Sequence, residues 1–199
     1  FLVRIIGITT KNIPILFLGN VSDIGSALYE KSYYLGGLSN TLLSPINAKV
    51  SYAFYTKVKR DMQRISKGVY LNLYFTFRLI LPFVVLIYLY SQEIVLFIYG
   101  ENWIGVSPYL KGFSIFILFA PLYAIPQFLL LSQDKIELVI RNKLYSLILL
   151  IIFILYIYYS NTSYKYISWC VSILMFISFL HLMFYVQVML NLNLNVLFV

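Results

Sequence analysis

The sequence has few of the residues from which catalytic and metal sites are built. Its 199 residues include one cysteine, Cys170, and one histidine, His181. One cysteine excludes an intrachain disulfide, and this pair cannot provide the ligand cluster that a zinc site needs. A Ser-His-Asp triad is disfavoured too, because no acidic residue is close to His181 in sequence. We interpret His181 as a structural or helix-contact histidine.

Charged residues are scarce as well. They make up 11% of the chain, whereas 61% of its residues are hydrophobic and the mean hydropathy is +0.86, values that exclude an ordinary soluble domain. The net charge of +8 does not indicate nucleic-acid binding, because basic residues of membrane proteins concentrate in cytoplasmic loops. No P-loop or Rossmann glycine pattern is present, so we expect no ATP site, no cofactor and no enzymatic activity.

What the sequence does contain is a series of long apolar runs, typical of an all-α, polytopic membrane helix bundle with about six transmembrane helices. The second run is the least apolar, and we expect Pro121 and Pro126 to bend the fourth. The chain begins at Phe1, inside the first run, so we expect it to be a fragment that lacks its N-terminal portion. The predicted spans of this single membrane domain are 1–18, 27–52, 68–90, 108–131, 144–159 and 166–190.

The basic residues are unevenly divided between the two sides of the predicted bundle. The loops on one side hold eight basic residues, whereas the loops on the other side hold only Lys31 and Lys165. This difference predicts that the basic side, which includes both chain ends, is cytoplasmic. The segment Ser91 to Ser107 is too short to span and is expected in the outer interface. The loops after the second and fourth runs hold eight basic residues: Lys57, Lys59, Arg60, Arg64, Lys67, Lys135, Arg141 and Lys143.

Three cations inside predicted spans are candidates for binding an anionic substrate. Arg78 lies near the middle of the third run, where an arginine costs at least about 2.5–3.5 kcal/mol. Arg4 and Lys11 are seven residues apart and share one helix face. Together the three could form a basic wall that accepts phosphate groups. Alternatively, Arg4 and Lys11 extend to the membrane surfaces, and Arg78 donates to carbonyls of a neighbouring helix.

The second run combines tyrosines with two adjacent glycines, Gly36 and Gly37. These residues either line the same cavity or, for the glycines, mark a close contact between helices. Both interpretations stay open at this point.

Three motifs resemble the polysaccharide and O-antigen flippases of the multidrug/oligosaccharidyl-lipid/polysaccharide exporter superfamily. LFLGNVSDIGSALYEKSYYLGGL, from Leu16 to Leu38, is similar to a signature of that family, LG, five residues, G, three residues, Y. FYTKVKRDMQRISKGV resembles its basic cytoplasmic loop, and YGENWIGVSPYLKGFSIFILFAPL its G-E-x-W, P-x-L and P-L stretch. The chain departs from the family at Ala53, where proline is common, and at Ser132-Gln133-Asp134, where glycine is common. The resemblance covers about Asn12 to Ile140.

The resemblance implies a function and a set of partners. The chain would be the C-terminal lobe of a two-lobe transporter in the bacterial inner membrane. It would move oligosaccharide repeat units, carried on polyprenyl pyrophosphate, across that membrane by alternating access. Its partners would be this lipid-linked oligosaccharide, membrane lipids, the missing N-terminal lobe and the polysaccharide polymerase machinery. Arg78, Lys11 and Arg4 would then be the substrate-binding candidates.

Two other functions compete with transport of a lipid-linked glycan. One is an integral membrane enzyme of polysaccharide biosynthesis, a polymerase or an acyltransferase, although neither a large outer loop with paired arginines nor a cytoplasmic histidine is visible. The other is a drug or cation exporter, which would favour acidic residues inside helices, whereas the predicted span interiors carry cations only.

Overall fold

The computed structural model describes residues 2–160 and 162–190, and every regular element in them is a helix, as the composition predicts. Phe1, the first residue of the first predicted span, lies outside the described residues. A single 3-10 turn, Glu101–Trp103, follows the fourth helix. The α-helices are α1 (Leu2–Val21), α2 (Asp23–Lys57), α3 (Met62–Leu89), α4 (Ser91–Tyr99), α5 (Val106–Gly112), α6 (Ser114–Ser132), α7 (Ile136–Tyr159) and α8 (Tyr166–Leu190).

Five of these helices, α1, α3, α6, α7 and α8, are long and apolar enough to cross a membrane. Helix α2 is not among them, although its 35 residues would extend about 52 Å, well beyond the roughly 30 Å of a hydrocarbon core. It fails on apolarity, because its middle carries polar residues such as Asn40 and Ser44. Polar side chains in a spanning helix face the interior of the bundle. Six membrane crossings therefore remain consistent with the fold.

Side chains cap the helices that begin after tight turns. Ser22 accepts a hydrogen bond from the backbone N–H of Gly25 at 3.1 Å, and this cap starts α2 directly after α1. Asp61 does the same for α3, since its Oδ1 atom accepts from the backbone N–H of Arg64 at 3.0 Å. Such caps satisfy amide donors that the first turn of a helix leaves unpaired. They fix the reversals in direction between α1 and α2 and between α2 and α3.

Helix α6 is the centre of the bundle. In its most apolar stretch 67% of the residues are buried, against 17% in α3. It packs against α2, α3 and α8, while α1 and α7 complete the ring on the remaining side. The largest apolar core joins α6 to its neighbours, since it includes Ile125 and Leu129 of α6 together with Val69 of α3 and Val186 of α8. This arrangement leaves most of the surface of α1 and α3 facing outward.

The fourth predicted span, 108–131, differs from the observed structure. The chain breaks into α5 and α6 at Phe113, before Pro121 and Pro126, and both prolines lie inside the continuous helix α6. The break packs tightly against α8, because Ser172 Oγ donates to the carbonyl of Gly112 at 2.7 Å. A Cβ atom on Gly112 would overlap Ser168. This contact requires a glycine.

The two adjacent glycines of α2 lie in different surroundings. A Cβ atom on Gly36 would lie 3.2 Å from the Cβ atom of Phe113 and 3.6 Å from Ile117, so Gly36 marks the close contact between α2 and the α5–α6 break. Gly37 has open space where its Cβ atom would be. The packing interpretation is thus confirmed for Gly36 and wrong for Gly37 within the described chain.

The two basic loops lie at the same end of the bundle. Lys59, between α2 and α3, forms an ion pair with Asp134, between α6 and α7. Asp134 has a φ of 59°, the left-handed conformation that favours glycine, which is the residue common there in the resembling family. The loop before α7 is shorter than predicted, because Arg141 and Lys143 lie inside the helix.

At the opposite end, aromatic contacts join the other connections. The Phe17 ring of α1 meets Tyr158, near the end of α7, and Tyr164, in the α7–α8 connection, with ring centroids 6.1 and 6.2 Å away. The Lys31 ammonium lies 4.9 Å from the ring centroid of Tyr99 and 4.7 Å from that of Trp103. These contacts hold the segment from α4 to α5 against α2.

Candidate functional site

A cavity of about 310 Å³ opens in the middle of the bundle, between α1, α2, α6, α7 and α8. Its wall combines two lysines with hydroxyl, amide and aromatic side chains. Since five helices contribute, the cavity exists only when the bundle is assembled. Its polar and charged lining consists of Thr10, Lys11, Tyr29, Tyr33, Asn40, Ser44, Tyr123, Gln127, Asn142, Lys143, Ser146 and Ser178.

Lys11 and Lys143 supply the positive charge of the cavity. The Lys11 ammonium lies 5.5 Å from the ring centroid of Tyr33 and 5.4 Å from that of Tyr34, so cation–π contacts hold it against α2. The Lys143 ammonium approaches α1 and would lie 3.4 Å from a Cβ atom on Gly7. Lys143 thus extends from α7 towards α1 beside Gly7.

No acidic residue appears among the described residues that line the cavity. Two cations without a carboxylate partner favour an anion, and ammonium groups are common phosphate ligands. Asn40, Gln127 and Ser44 provide neutral donors and acceptors that suit hydroxyl groups. The cavity can thus bind a ligand that combines negative charge with many hydroxyls.

An aromatic cluster forms the wall on the side of α2. The Tyr29 and Phe113 rings meet edge to face with centroids 5.3 Å apart, and Tyr33 lies 5.6 Å from Phe113 and 5.4 Å from Phe116. Tyr29 is buried and Phe113 fully so. The α5–α6 break positions Phe113 in this cluster, so the break and the cavity wall are parts of one packing unit.

A buried hydrogen-bond network closes the cavity on the side of α7 and α8. Asn142, with 2% of its surface exposed, donates through Nδ2 to the carbonyl of Ser178 at 3.1 Å. Its Oδ1 accepts from the Tyr123 hydroxyl at 3.3 Å. His181 lies 2.8 Å from Asn142, Nδ1 to Nδ2, which confirms that this histidine contacts a neighbouring helix. The network joins α6, α7 and α8.

The three sequence-predicted cations do not come together within this chain. All three residues are exposed, and of them Lys11 lines the cavity, whereas Arg4 and Arg78 lie outside it. The Arg78 guanidinium lies over the Tyr74 ring of its own helix, 4.5 Å from the centroid. A substrate-binding role for these three residues stays a prediction.

Sequence reasoning missed Lys143, which it assigned to a loop. Four of the seven residues before it are apolar, Ile136, Leu138, Val139 and Ile140, a signal that the helix starts earlier than the predicted Leu144. The described residues contain no group of three or more His, Cys, Asp or Glu side chains that could hold a metal ion.

The comparison with protein families adds an independent observation. A family described as polysaccharide biosynthesis protein matches residues 1–108, more than half of the chain. The chain belongs to the polysaccharide biosynthesis protein family. The match covers α1 to α4 and reaches the start of α5, so it includes Lys11, Tyr33 and Arg78, whereas Lys143 and Asn142 lie beyond it. No curated protein and no solved structure matches the chain.

Proposed function

We propose that this member of the polysaccharide biosynthesis protein family moves a lipid-linked oligosaccharide across the membrane. The observation that carries the proposal is the cavity in the middle of the bundle, which has two lysines and no acidic residue among its described lining. A lipid-linked repeat unit has the matching chemistry, because its pyrophosphate is anionic and its sugars are rich in hydroxyls. The family assignment supports a role in polysaccharide biosynthesis.

In this mechanism the cavity binds the polar head of the substrate, and the lipid tail stays in the bilayer. Lys11 and Lys143 bind the pyrophosphate oxygens through charge-assisted hydrogen bonds. Asn40, Ser44 and Gln127 exchange hydrogen bonds with sugar hydroxyls. The protein lowers the cost of crossing, since the head replaces water with polar groups of the wall rather than with hydrocarbon. No bond of the substrate is made or broken.

Alternating access requires a second wall that moves relative to the first. We infer that the described helices form one lobe and that a second helical lobe faces them. A polar helix surface is stable in a membrane only where protein or water covers it. Arg4 and Arg78, exposed within this chain, are candidates for the surface that meets the second lobe or the substrate.

The proposed location is the bacterial inner membrane, with the basic loops in the cytoplasm. The two loops share one end of the bundle, so one orientation of the protein in the membrane places both of them on the cytoplasmic side. Cysteine labelling tests this in a background that carries Cys170→Ser. A thiol introduced by Arg64→Cys should react with an impermeant reagent only after the cells are opened, and one introduced by Asn102→Cys in intact spheroplasts. The opposite pattern would reverse the orientation.

Complementation tests the transport function. The complete gene product should restore surface polysaccharide in a strain that lacks its own flippase, and lipid-linked repeat units should no longer accumulate in the inner leaflet. If polymer length changes while the repeat units remain in the inner leaflet, the protein acts in assembly, as a polymerase would. If neither changes although the protein is present in the membrane at normal abundance, transport of this substrate class is excluded.

A further inference from the structure

The one histidine of the chain contacts the wall of the cavity through a buried amide. His181 Nδ1 lies 2.8 Å from Asn142 Nδ2, and Asn142 lines the cavity next to Lys143. Both residues are in the half of the bundle that carries the basic loops, since Asn142 is six residues from the start of α7, about 9 Å. A histidine changes charge near neutral pH more readily than any other side chain.

The hydrogen bonds of Asn142 define the state of His181. The same Nδ2 atom donates to the carbonyl of Ser178, which can only accept, so the orientation of the amide is fixed by the backbone of α8. An amide nitrogen has only donors, and therefore His181 Nδ1 accepts. The ring is neutral in this arrangement, with its hydrogen on Nε2.

Protonation of His181 is incompatible with this arrangement. A protonated Nδ1 would present a donor to the donor Nδ2 at 2.8 Å. Asn142 is buried, so an amide group left unpaired there is costly. The simplest remedy is a turn of the amide, which brings Oδ1 to the imidazolium and Nδ2 to the Tyr123 hydroxyl, at the expense of the Ser178 carbonyl. Protonation of His181 would thus require a second hydrogen-bonded arrangement of the network.

We propose that His181 is a proton-binding site that strengthens anion binding in the cavity. The imidazolium adds a positive charge one residue from the cavity wall. By linkage, a bound anion raises the proton affinity of His181 by the same factor. The inference rests on the anion-binding part of the proposed function and does not depend on which anion is transported.

The groups around His181 leave this site without an acidic partner among its described contacts. From α7, Tyr145 lies 5.8 Å from the ring, centroid to centroid, and Arg141 faces it from the same helix. On α8, Tyr185 lies 4.9 Å away and accepts a hydrogen bond from Arg141 Nη2 at 2.6 Å. Glu137, one turn before Arg141, is the nearest acidic residue along α7. Hence an anion in the cavity is the main source of compensating charge.

Sulfate binding to the complete, detergent-purified protein tests the proposal. Sulfate mimics phosphate and keeps its charge between about pH 5.5 and 8, so any pH dependence belongs to the protein. We expect the wild type to bind sulfate about five- to tenfold more tightly at the lower pH. His181→Gln should bind with little pH dependence. A pH dependence that is equal in both proteins, or absent from the wild type, would overturn the proposal.

Two further measurements separate this inference from the proposed function. Lys11→Ala should weaken sulfate binding at both pH values, which shows that the probe reports on the cavity. Nitrogen-15 spectra of labelled histidine, assigned by their difference from His181→Gln, should show a neutral ring with hydrogen on Nε2 at the higher pH and protonation at the lower. If His181 keeps one protonation state over this range, the inference fails, whether or not the protein exports polysaccharide.

Discussion

Basic side chains lie inside the spanning helices in two contrasting environments. Lys11 and Lys143 come from α1 and α7 and lie in the wall of one cavity, with polar groups from three other helices around them. Arg78 lies on the outward side of α3, where it is exposed and contacts the ring of Tyr74. Residues of this chain line the first environment, whereas the second faces whatever surrounds the bundle.

The difference shows what depth in the membrane does and does not indicate. Arg78 is the most central cation by sequence, and its depth makes a functional role attractive. Depth alone does not determine which side of the helix the residue occupies. Lys143 is close to the start of its helix, yet it lines the cavity and its ammonium lies near Gly7 of α1. The partners of a cation are set by helix packing.

The largest expected effect is on the two cavity lysines. Lys11→Ala combined with Lys143→Ala should lower surface polysaccharide at least tenfold, because hydrogen bonds to charged groups contribute about 1.5–3 kcal/mol each. Glycan staining and membrane abundance measure the effect. The matched control is Lys57→Ala with Lys135→Ala, which removes two lysines outside the cavity. Normal export by the cavity variant would refute this role of the lysines.

Arg78 should show a smaller but clear effect. We expect Arg78→Ala to lower surface polysaccharide severalfold at normal membrane abundance. A guanidinium in the middle of a span is costly to insert, and its presence therefore indicates a polar partner outside the described chain. Arg78→Lys should retain more export if charge is what matters. Arg60→Ala, on the loop before α3, is the control. A fall in abundance instead of activity would assign Arg78 to helix packing.

Gly36 and Gly37 are neighbours in α2, but one is closely packed and the other faces open space. The same substitution can therefore be compared at both positions. Gly36→Val should destabilise the protein by about 1–3 kcal/mol, since the added atoms meet buried Phe113 and cannot be accommodated without strain. Gly37→Val points into open space and should change stability little. Thermal unfolding in detergent reports the difference between the two. Equal stabilities would contradict the close contact of α2 with the α5–α6 break.

The smallest effect is expected at the opposite end of the bundle. Lys31→Met should lower stability by about 1 kcal/mol, because the ammonium contacts the rings of Tyr99 and Trp103 and exposed cation–π contacts contribute about 0.5–1 kcal/mol each. Lys165→Met, whose ammonium contacts one ring, Tyr166, should cost less. Unfolding followed by tryptophan fluorescence measures both. A larger loss for Lys165→Met would reverse the ranking.

Most of the helices and the shared end of the basic loops are predictable from the sequence. Helix α8 coincides with its predicted segment. A long apolar run in a membrane forms a helix because its backbone polar groups must be hydrogen-bonded within the segment. The break at Phe113 was not predicted. It depends on the fit of Gly112 against Ser168 and Ser172, which lie about 60 residues later in the chain.

The helical class, the long apolar runs suited to a membrane, the shared end of the two basic loops and the family could all be inferred from the sequence. These properties follow from local composition, since apolar runs, caps and charge counts act over a few turns. The packing of the helices was needed to establish that Lys11 and Lys143 share a cavity, that Arg78 lies outside it, and that Asn142 joins His181 to its wall. Such contacts depend on which faces of five helices turn towards each other. That choice is made by packing around α6, and no single helix encodes it.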